Sequence, residues 1–210
     1  MPDIAKLPTT DQELLELGAR EAPVRFEASE AEYWALLQRA AYKAEYANGE
    51  IVATMGYENA IHSFIATRLS YLLQTIFSDL NAYRISNSNR PVCIESCNNA
   101  IFIPDGSVLQ MPLDPYEFQP GMDAERTPLL LFEVLSPSTR IRDFGEKLPC
   151  YKQIPSLQHI LYLETENVKV FHFQRREDGR WLEGIYTDKS DQIALPYGAI
   201  ALGELYVDEG

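Results

Sequence analysis

The sequence predicts an α/β (α+β) fold: a mixed β-sheet flanked by helices, with N-terminal helices and extra β-hairpins. Three observations lead there. Residues 60–77 carry an amphipathic helical stripe. Three apolar, strand-like stretches follow it, then a short helix and another strand, in the order αβββαβ. Hairpin signals stand before and after that block.

Taken in order, Thr10-x-x-Glu13 is a capping box opening the helix "DQELLELG", and Gly18 ends it. Residues 1–27 are expected to form an N-terminal arm, and 28–210 one domain. Ser29-x-x-Glu32 caps "AEYWALLQRAA". Asn48-Gly49 between alternating residues predicts a hairpin turn. In the main helix, Ile61, Ile65, Leu69, Leu72 and Ile76 recur at three- and four-residue steps and should face the core. Strands are expected near 83–95, 100–109 and 129–135. Proline-rich 111–128 reads as a surface loop. Pro149 is tolerated only in a first helical turn, so the next helix should begin near Gly145 or Glu146. "HILYLE" is a strand, "VKVFHFQ" and "WLEGIY" form a hairpin across "EDGR", and 193–207 reads as short strands and turns.

The 210 residues are 46% hydrophobic, enough for one well-buried domain. The apolar runs are too short to cross a bilayer, and "MPDIAKLPTTDQELLELGAR" has no apolar signal core, so a cytoplasmic protein without membrane association is expected. Cys93, Cys97 and Cys150 are an odd number in a chain of ordinary size, and reduced thiols are expected. The formal charge of −13 disfavours loose binding to nucleic acid. It is uneven, however. Residues 134–152 hold Arg140, Arg142, Lys147 and Lys152 against Asp143 and Glu146.

"LLLFEVLSPSTR" sets Glu133 in the most apolar stretch of the chain, and "IFIPDGSV" sets Asp105 in another. A buried carboxylate needs a cation, a metal or a proton as partner. Two acids on neighbouring strands suit a hard divalent cation such as Mg²⁺. Position 135, on the same strand face as Glu133, is Leu135. The next lysine is Lys147, which shares a helical face with Tyr151 and Ile154; that face should turn inward. Each acid also has a simpler reading, "PDG" as a turn and Glu133 as half of an ion pair. Ser136 and Ser138 suit a strand exit better than a nucleophile. Arg175, Arg176 and Arg180 read as a solvated hairpin tip, His159 and His172 as sheet or surface residues, and Trp34 and Trp181 as core or interface.

"PDGSV", "PLLLFEVLSPSTRIRDFGEKLPCYKQIPSLQHILYLE", "FEASEAEYWALL", "EYANGEIVATMGYENAIHS" and "GELY" together resemble the Uma-type restriction-endonuclease-like family of bacteria, within the PD-(D/E)xK nuclease superfamily. The resemblance spans roughly residues 26 to 206, and the block 128–164 is its most specific part. It implies a restriction-endonuclease-like sheet, with Asp105 and Glu133 as ligands of Mg²⁺ or Mn²⁺ and Lys147 as the superfamily lysine displaced from the strand. Glu45 and His62 match recurrent positions and are additional site candidates. Pro149 departs from the pattern, standing two residues after Lys147 where a helix former is usual. The expected function is metal-dependent cleavage of DNA; the alternative is a nuclease-fold module that binds DNA or a protein without cutting. Arg140, Arg142 and Lys152 are candidate phosphate contacts. A homodimer would supply two sites for two strands.

Overall fold

The structure, a computed structural model, describes residues 7–19, 22–54, 59–137 and 139–207. In chain order the elements begin with α1 (Asp11–Glu16), β1 (Val24–Glu27), α2 (Glu30–Leu37), β2 (Lys43–Ala47), β3 (Glu50–Thr54) and α3 (Ala60–Ile76). There follow β4 (Tyr83–Asn87), β5 (Val92–Ile94), a 3-10 turn at Glu95–Cys97, β6 (Ala100–Phe102), β7 (Gly106–Gln110), β8 (Tyr116–Gln119), β9 (Met122–Ala124) and β10 (Pro128–Leu135). The remainder is α4 (Arg140–Arg142), a π-helical turn at Asp143–Lys147, α5 (Leu148–Tyr151), β11 (His159–Glu164), β12 (Val170–Arg175), β13 (Trp181–Tyr186), β14 (Gln192–Leu195), β15 (Gly198–Ala201) and α6 (Leu202–Leu205). Among the described residues, no helix is long and apolar enough to cross a membrane.

Two main sheets result. The larger runs β13-β12-β11-β10-β7-β4; β10 and β11 are parallel and every other pair is antiparallel. The smaller runs β1-β3-β2-β6-β5. The predicted αβββαβ core is present as α3, β4, β7, β10, α5 and β11. Strand β10 is apolar on both faces because both are covered. Leu130, Phe132 and Val134 pack with α3, while Leu131 and Leu135 pack with Leu148 and Tyr151 of α5. Glu133 belongs to this second face, between the two sheets.

Local signals set much of this. Both capping boxes form, with Thr10 and Ser29 accepting from the amides of Glu13 and Glu32. Asn48 (φ 54°) and Gly49 (φ 79°) make the left-handed turn between β2 and β3. Leu7, Leu14 and Ala19, within the segment expected as an arm, are buried against α2 and the smaller sheet, and β1 pairs with β3.

Several expectations are corrected. The stretches 83–95 and 100–109 each split between the two sheets: β4 and β7 lie in the larger, β5 and β6 in the smaller. Pro91 and Pro104 stand at the breaks and bring no amide hydrogen to a ladder. The loop 111–128 contains the β8–β9 hairpin. Its Phe118 stacks on Trp34 at 5.7 Å and its Tyr116 hydroxyl donates to Glu30 at 2.6 Å, so it closes the second core. Ile61 is 48% exposed and its neighbour His62 is buried instead. The helical stretch begins at Arg140, not near Gly145. A π turn directly before Pro149 widens the backbone where the proline ring would meet a carbonyl, so helix continues on both sides of it. Finally, Cys97 and Cys150 form a disulfide instead of remaining thiols. Packing of α5 against the smaller sheet brings their Cα atoms to 5.5 Å across 53 residues of sequence, which no local spacing announces.

Candidate active site

Asp105 ends the crossover from the smaller sheet to β7. The next residue must be glycine: a Cβ on Gly106 would lie 2.3 Å from the Phe132 ring. Gly106 pairs with Phe132, so Asp105 is delivered to the same end of β10 that carries Glu133. Its Oδ2 accepts the Val134 amide at 2.7 Å and lies 3.1 Å from His62 Nε2. His62 reaches it from the first turn of α3, where Asn59 caps the His62 amide at 2.8 Å.

Glu133 is 4% exposed. Its Oε1 accepts from Lys147 Nζ at 3.0 Å and from the Tyr151 hydroxyl at 2.7 Å. Both donors come from the π turn and α5. Lys147 also approaches Glu45 Oε1 at 3.2 Å and Asp143 Oδ1 at 3.4 Å. Glu45 arrives from β2 of the smaller sheet, accepts the Ile103 amide at 2.6 Å, and pairs with the buried Arg142. The second contact of Arg142 is Glu146, at 3.2 Å. The site is therefore a seam between two sheets, closed by one helical segment.

The charges divide unequally. Burial pushes the Glu45 carboxyl up, but Lys147 and Arg142 outweigh it and hold it down at about 2. Burial pushes Glu133 up to about 8; Lys147 pulls the other way, while Asp143, Asp105 and Glu45 add to the rise. Burial opposes the charge on Lys147, but Glu133, Glu45 and Asp143 together hold its pKa above the usual value. Burial thus favours the protonated form of Glu133, while the surrounding carboxylates favour the ammonium form of Lys147.

The candidates thus fall into groups. Asp105, Glu133, Lys147, Glu45 and His62 converge. Arg142 lies in the same network but is buried, with Nη2 lacking a hydrogen-bond partner among the described residues. Arg140 is at the margin, paired with Glu164 and set 5.2 Å over the Phe144 ring. Lys152 lies further off, over the Phe173 ring at 4.5 Å. Ser136 shares hydrogen bonds with Thr139, as befits a strand exit; Ser138 lies outside the described residues. Sequence reasoning missed three participants. Asp143 stands four residues before Lys147, a helical spacing that does signal an ion pair. Tyr151 reads only as an inward-facing core residue. Arg175, expected at a solvated tip, instead donates to the carbonyls of Lys152 and Ile154 and so caps α5.

Among the described residues, no three or more His, Cys, Asp or Glu side chains form a ready metal cage. The oxygen chemistry nonetheless suits a hard divalent cation. Among the described residues, Asp105 and Glu133 each receive their hydrogen bonds on a single oxygen, and Glu45, Asp105, Glu133 and Asp143 outnumber the cations Lys147 and Arg142.

A sheet with an αβββαβ core, carrying carboxylates on adjacent strands and a lysine on the following helix, defines a restriction-endonuclease-like protein. The chain belongs to the Uma2 family, described as "Putative restriction endonuclease", whose model matches residues 30–201. It is 35% identical over 80% of its length to the uncharacterized protein slr1290 of Synechocystis sp., covering 84% of that protein, and 32% identical over 72% of its length to sll1609 of the same organism, covering 83%. Its fold matches the crystal structure of a putative nuclease belonging to DUF820 from Anabaena variabilis, with TM-score 0.63 and 16% identity, over 82% of this chain and 96% of that one.

Proposed function

We propose that this chain is a metal-dependent endonuclease that hydrolyses phosphodiester bonds of DNA. The observation that carries this reading is the approach of Asp105, whose Oδ2 accepts the Val134 amide, to the buried and directly bonded pair of Glu133 and Lys147. Asp105 and Glu133 would hold Mg²⁺ or Mn²⁺ through the oxygens that their protein donors leave open. Such an ion, when bound, supplies positive charge to the phosphoryl group and acidifies water.

The chain's own residues supply the rest. Lys147 presents a fixed ammonium toward the developing phosphorane charge and orients the attacking water. Glu45 and Arg142 keep that ammonium in place. His62 holds Asp105. Arg140 and Lys152 form the cationic margin toward the DNA backbone, and Arg142, whose Nη2 is buried, would reach a phosphate oxygen only if the seam opened. In this reading 28–210 is the nuclease-like domain and 1–27 an arm, in a cytoplasmic protein acting as a homodimer on duplex DNA. Incubating supercoiled plasmid with Mg²⁺ or Mn²⁺ tests it. Wild type should nick or linearise the plasmid, and Lys147→Met should lower the rate about 100-fold or more. Equal cleavage by the two proteins would overturn the roles assigned.

A second reading, a nuclease-fold module that binds without cutting, draws support from the −13 charge and from the pairing of Arg140 and Arg142 with internal carboxylates. Salt-dependent DNA binding with no metal-dependent cleavage would select it.

A further inference from the structure

Glu133 and Tyr151 pose a geometric question that the metal ligands alone do not answer: what fixes the direction in which the Glu133 carboxylate presents its second oxygen? A glutamate has three rotatable bonds, and its terminal torsion is broad. A ligand with that freedom needs an outer partner to orient it.

Two donors reach Oε1, and they are not equivalent. Lys147 shares its ammonium among Glu133, Glu45 and Asp143, at 3.0, 3.2 and 3.4 Å. A point charge with three carboxylate neighbours imposes little direction on any one of them. Among the described residues, the Tyr151 hydroxyl has a single acceptor, Glu133 Oε1, at the shorter distance of 2.7 Å. Its donor direction is set by a rigid ring that is fully buried. The Phe102 ring meets it edge-on, with centroids 5.7 Å apart. The short helix that carries it is held from outside. Arg175 donates to the Lys152 and Ile154 carbonyls at 2.9 and 2.8 Å, Ser96 donates to the Gln153 carbonyl at 3.2 Å, and the Cys97–Cys150 disulfide ties the preceding residue to the smaller sheet.

We infer that Tyr151 is a positioning residue: its hydroxyl locks Oε1 of Glu133 and thereby turns Oε2 toward the divalent cation. This rests on the metal-site reading above. Tyr151 touches neither substrate nor metal in this scheme and acts only through Glu133. The surrounding contacts give the lock its stiffness, because each removes a way for the ring to move relative to β10.

The test is calorimetric titration of Mn²⁺ into the full-length wild type, Tyr151→Phe and Tyr206→Phe. The last removes a buried hydroxyl that donates to the Glu164 and Lys169 carbonyls, away from the site, and controls for loss of a structural hydrogen bond. Thermal melting of each variant accompanies the titrations. Tyr151→Phe should weaken Mn²⁺ binding about 10- to 100-fold, the range expected for loss of an outer-shell partner. Tyr206→Phe should leave it unchanged. Should Tyr151→Phe fail to fold, Tyr151→4-fluorophenylalanine restores most of the lost volume without the donor and takes its place. Equal affinity of wild type and the donor-free variant would overturn the positioning role while leaving the metal site intact. Equal weakening in Tyr206→Phe would also overturn it, because the effect would then be structural. Absence of Mn²⁺ binding by wild type would overturn the metal reading itself.

Discussion

Glu45 and Glu133 lie on either side of one ammonium and resolve their burial in opposite ways. Glu45 stays ionised because Lys147 and Arg142 both face it, whereas Glu133, more deeply desolvated than its one shared cation can offset, keeps a proton to about pH 8. The two glutamines should therefore behave differently. Glu45→Gln removes a charged partner from two buried cations, leaving Arg142 with Glu146 and Lys147 with Asp143 and Glu133, and should cost about 3 kcal/mol in urea unfolding at pH 7. Glu133→Gln should change stability by under about 1 kcal/mol only below about pH 4.5, where the carboxyl is protonated in both states. At pH 7 it should be the more stable protein, because the unfolded wild-type carboxyl ionises while the buried one resists ionisation. The pH dependence has a definite sign. The folded-state pKa of Glu133 lies above its unfolded value of 4.5, so its contribution is full below pH 4.5 and is lost as pH rises through about 8. Wild type without metal should lose stability relative to Glu133→Gln between about pH 4.5 and 8 and level off above that. Parallel curves would contradict the assignment of the proton to Glu133. Asp105 and Glu133 were legible as chemistry-bearing residues because they interrupt apolar stretches, Lys147 because it shares an inward-facing helical stripe with Tyr151 and Ile154, and Glu45 only through the family resemblance. That the ammonium is shared with Glu45 was not, since β2 and α5 are distant in sequence and meet only through the packing of two sheets.

At the scale of elements, β10 and α3 were legible because hydrophobic periodicity reports burial directly. The split of two long apolar stretches between sheets was not; Pro91 and Pro104 marked the breaks but not the change of partner. The start of the helix before Lys147 was misjudged because Pro149 alone cannot announce a π turn. Two element-level outcomes follow from the packing. Gly106→Ala would place a methyl group 2.3 Å from the Phe132 ring and 3.0 Å from the Ser86 carbonyl, so β7 or the ring must shift. Destabilisation of about 1–3 kcal/mol is expected in denaturant unfolding. On β11 and β12, the buried pair His159 and His172 share a 3.0 Å hydrogen bond, and burial lowers each to about 4. Unfolded histidines titrate near 6.5, so this contribution is full above that pH and falls away as pH drops toward 4. The loss is on the order of 3 kcal/mol for each histidine. Replacing His159 by Gln should flatten that acid limb in unfolding experiments; an unchanged limb would assign it to other groups.

For the whole molecule, net charge and local function point in different directions. An acidic chain of −13 repels nucleic acid at long range, yet its buried seam gathers four carboxylates around Lys147 and Arg142. Composition describes the solvated surface, and it cannot reveal an interior site built from three segments far apart in sequence. The family resemblance points to those segments because "EYANGEIVATMGYENAIHS", "PDGSV" and the 128–164 block sample all three, and the Uma2 match over 30–201 bears out the family. The smaller sheet was the least legible part. It is assembled from β1, β2, β3, β5 and β6, whose pairing depends on returns of the chain that no single stretch encodes. It is also the part that delivers Glu45 and, through Cys97, steadies α5.

The most direct test of the proposed metal centre is calorimetric titration of Mn²⁺ into wild type and Asp105→Asn at pH 8. Wild type should show one binding event, and the variant should lose it or weaken it at least about tenfold, because one of two charged oxygen ligands is gone. Identical isotherms, or no heat from wild type, would contradict a metal held between Asp105 and Glu133 and leave the cluster as a structural ion-pair network.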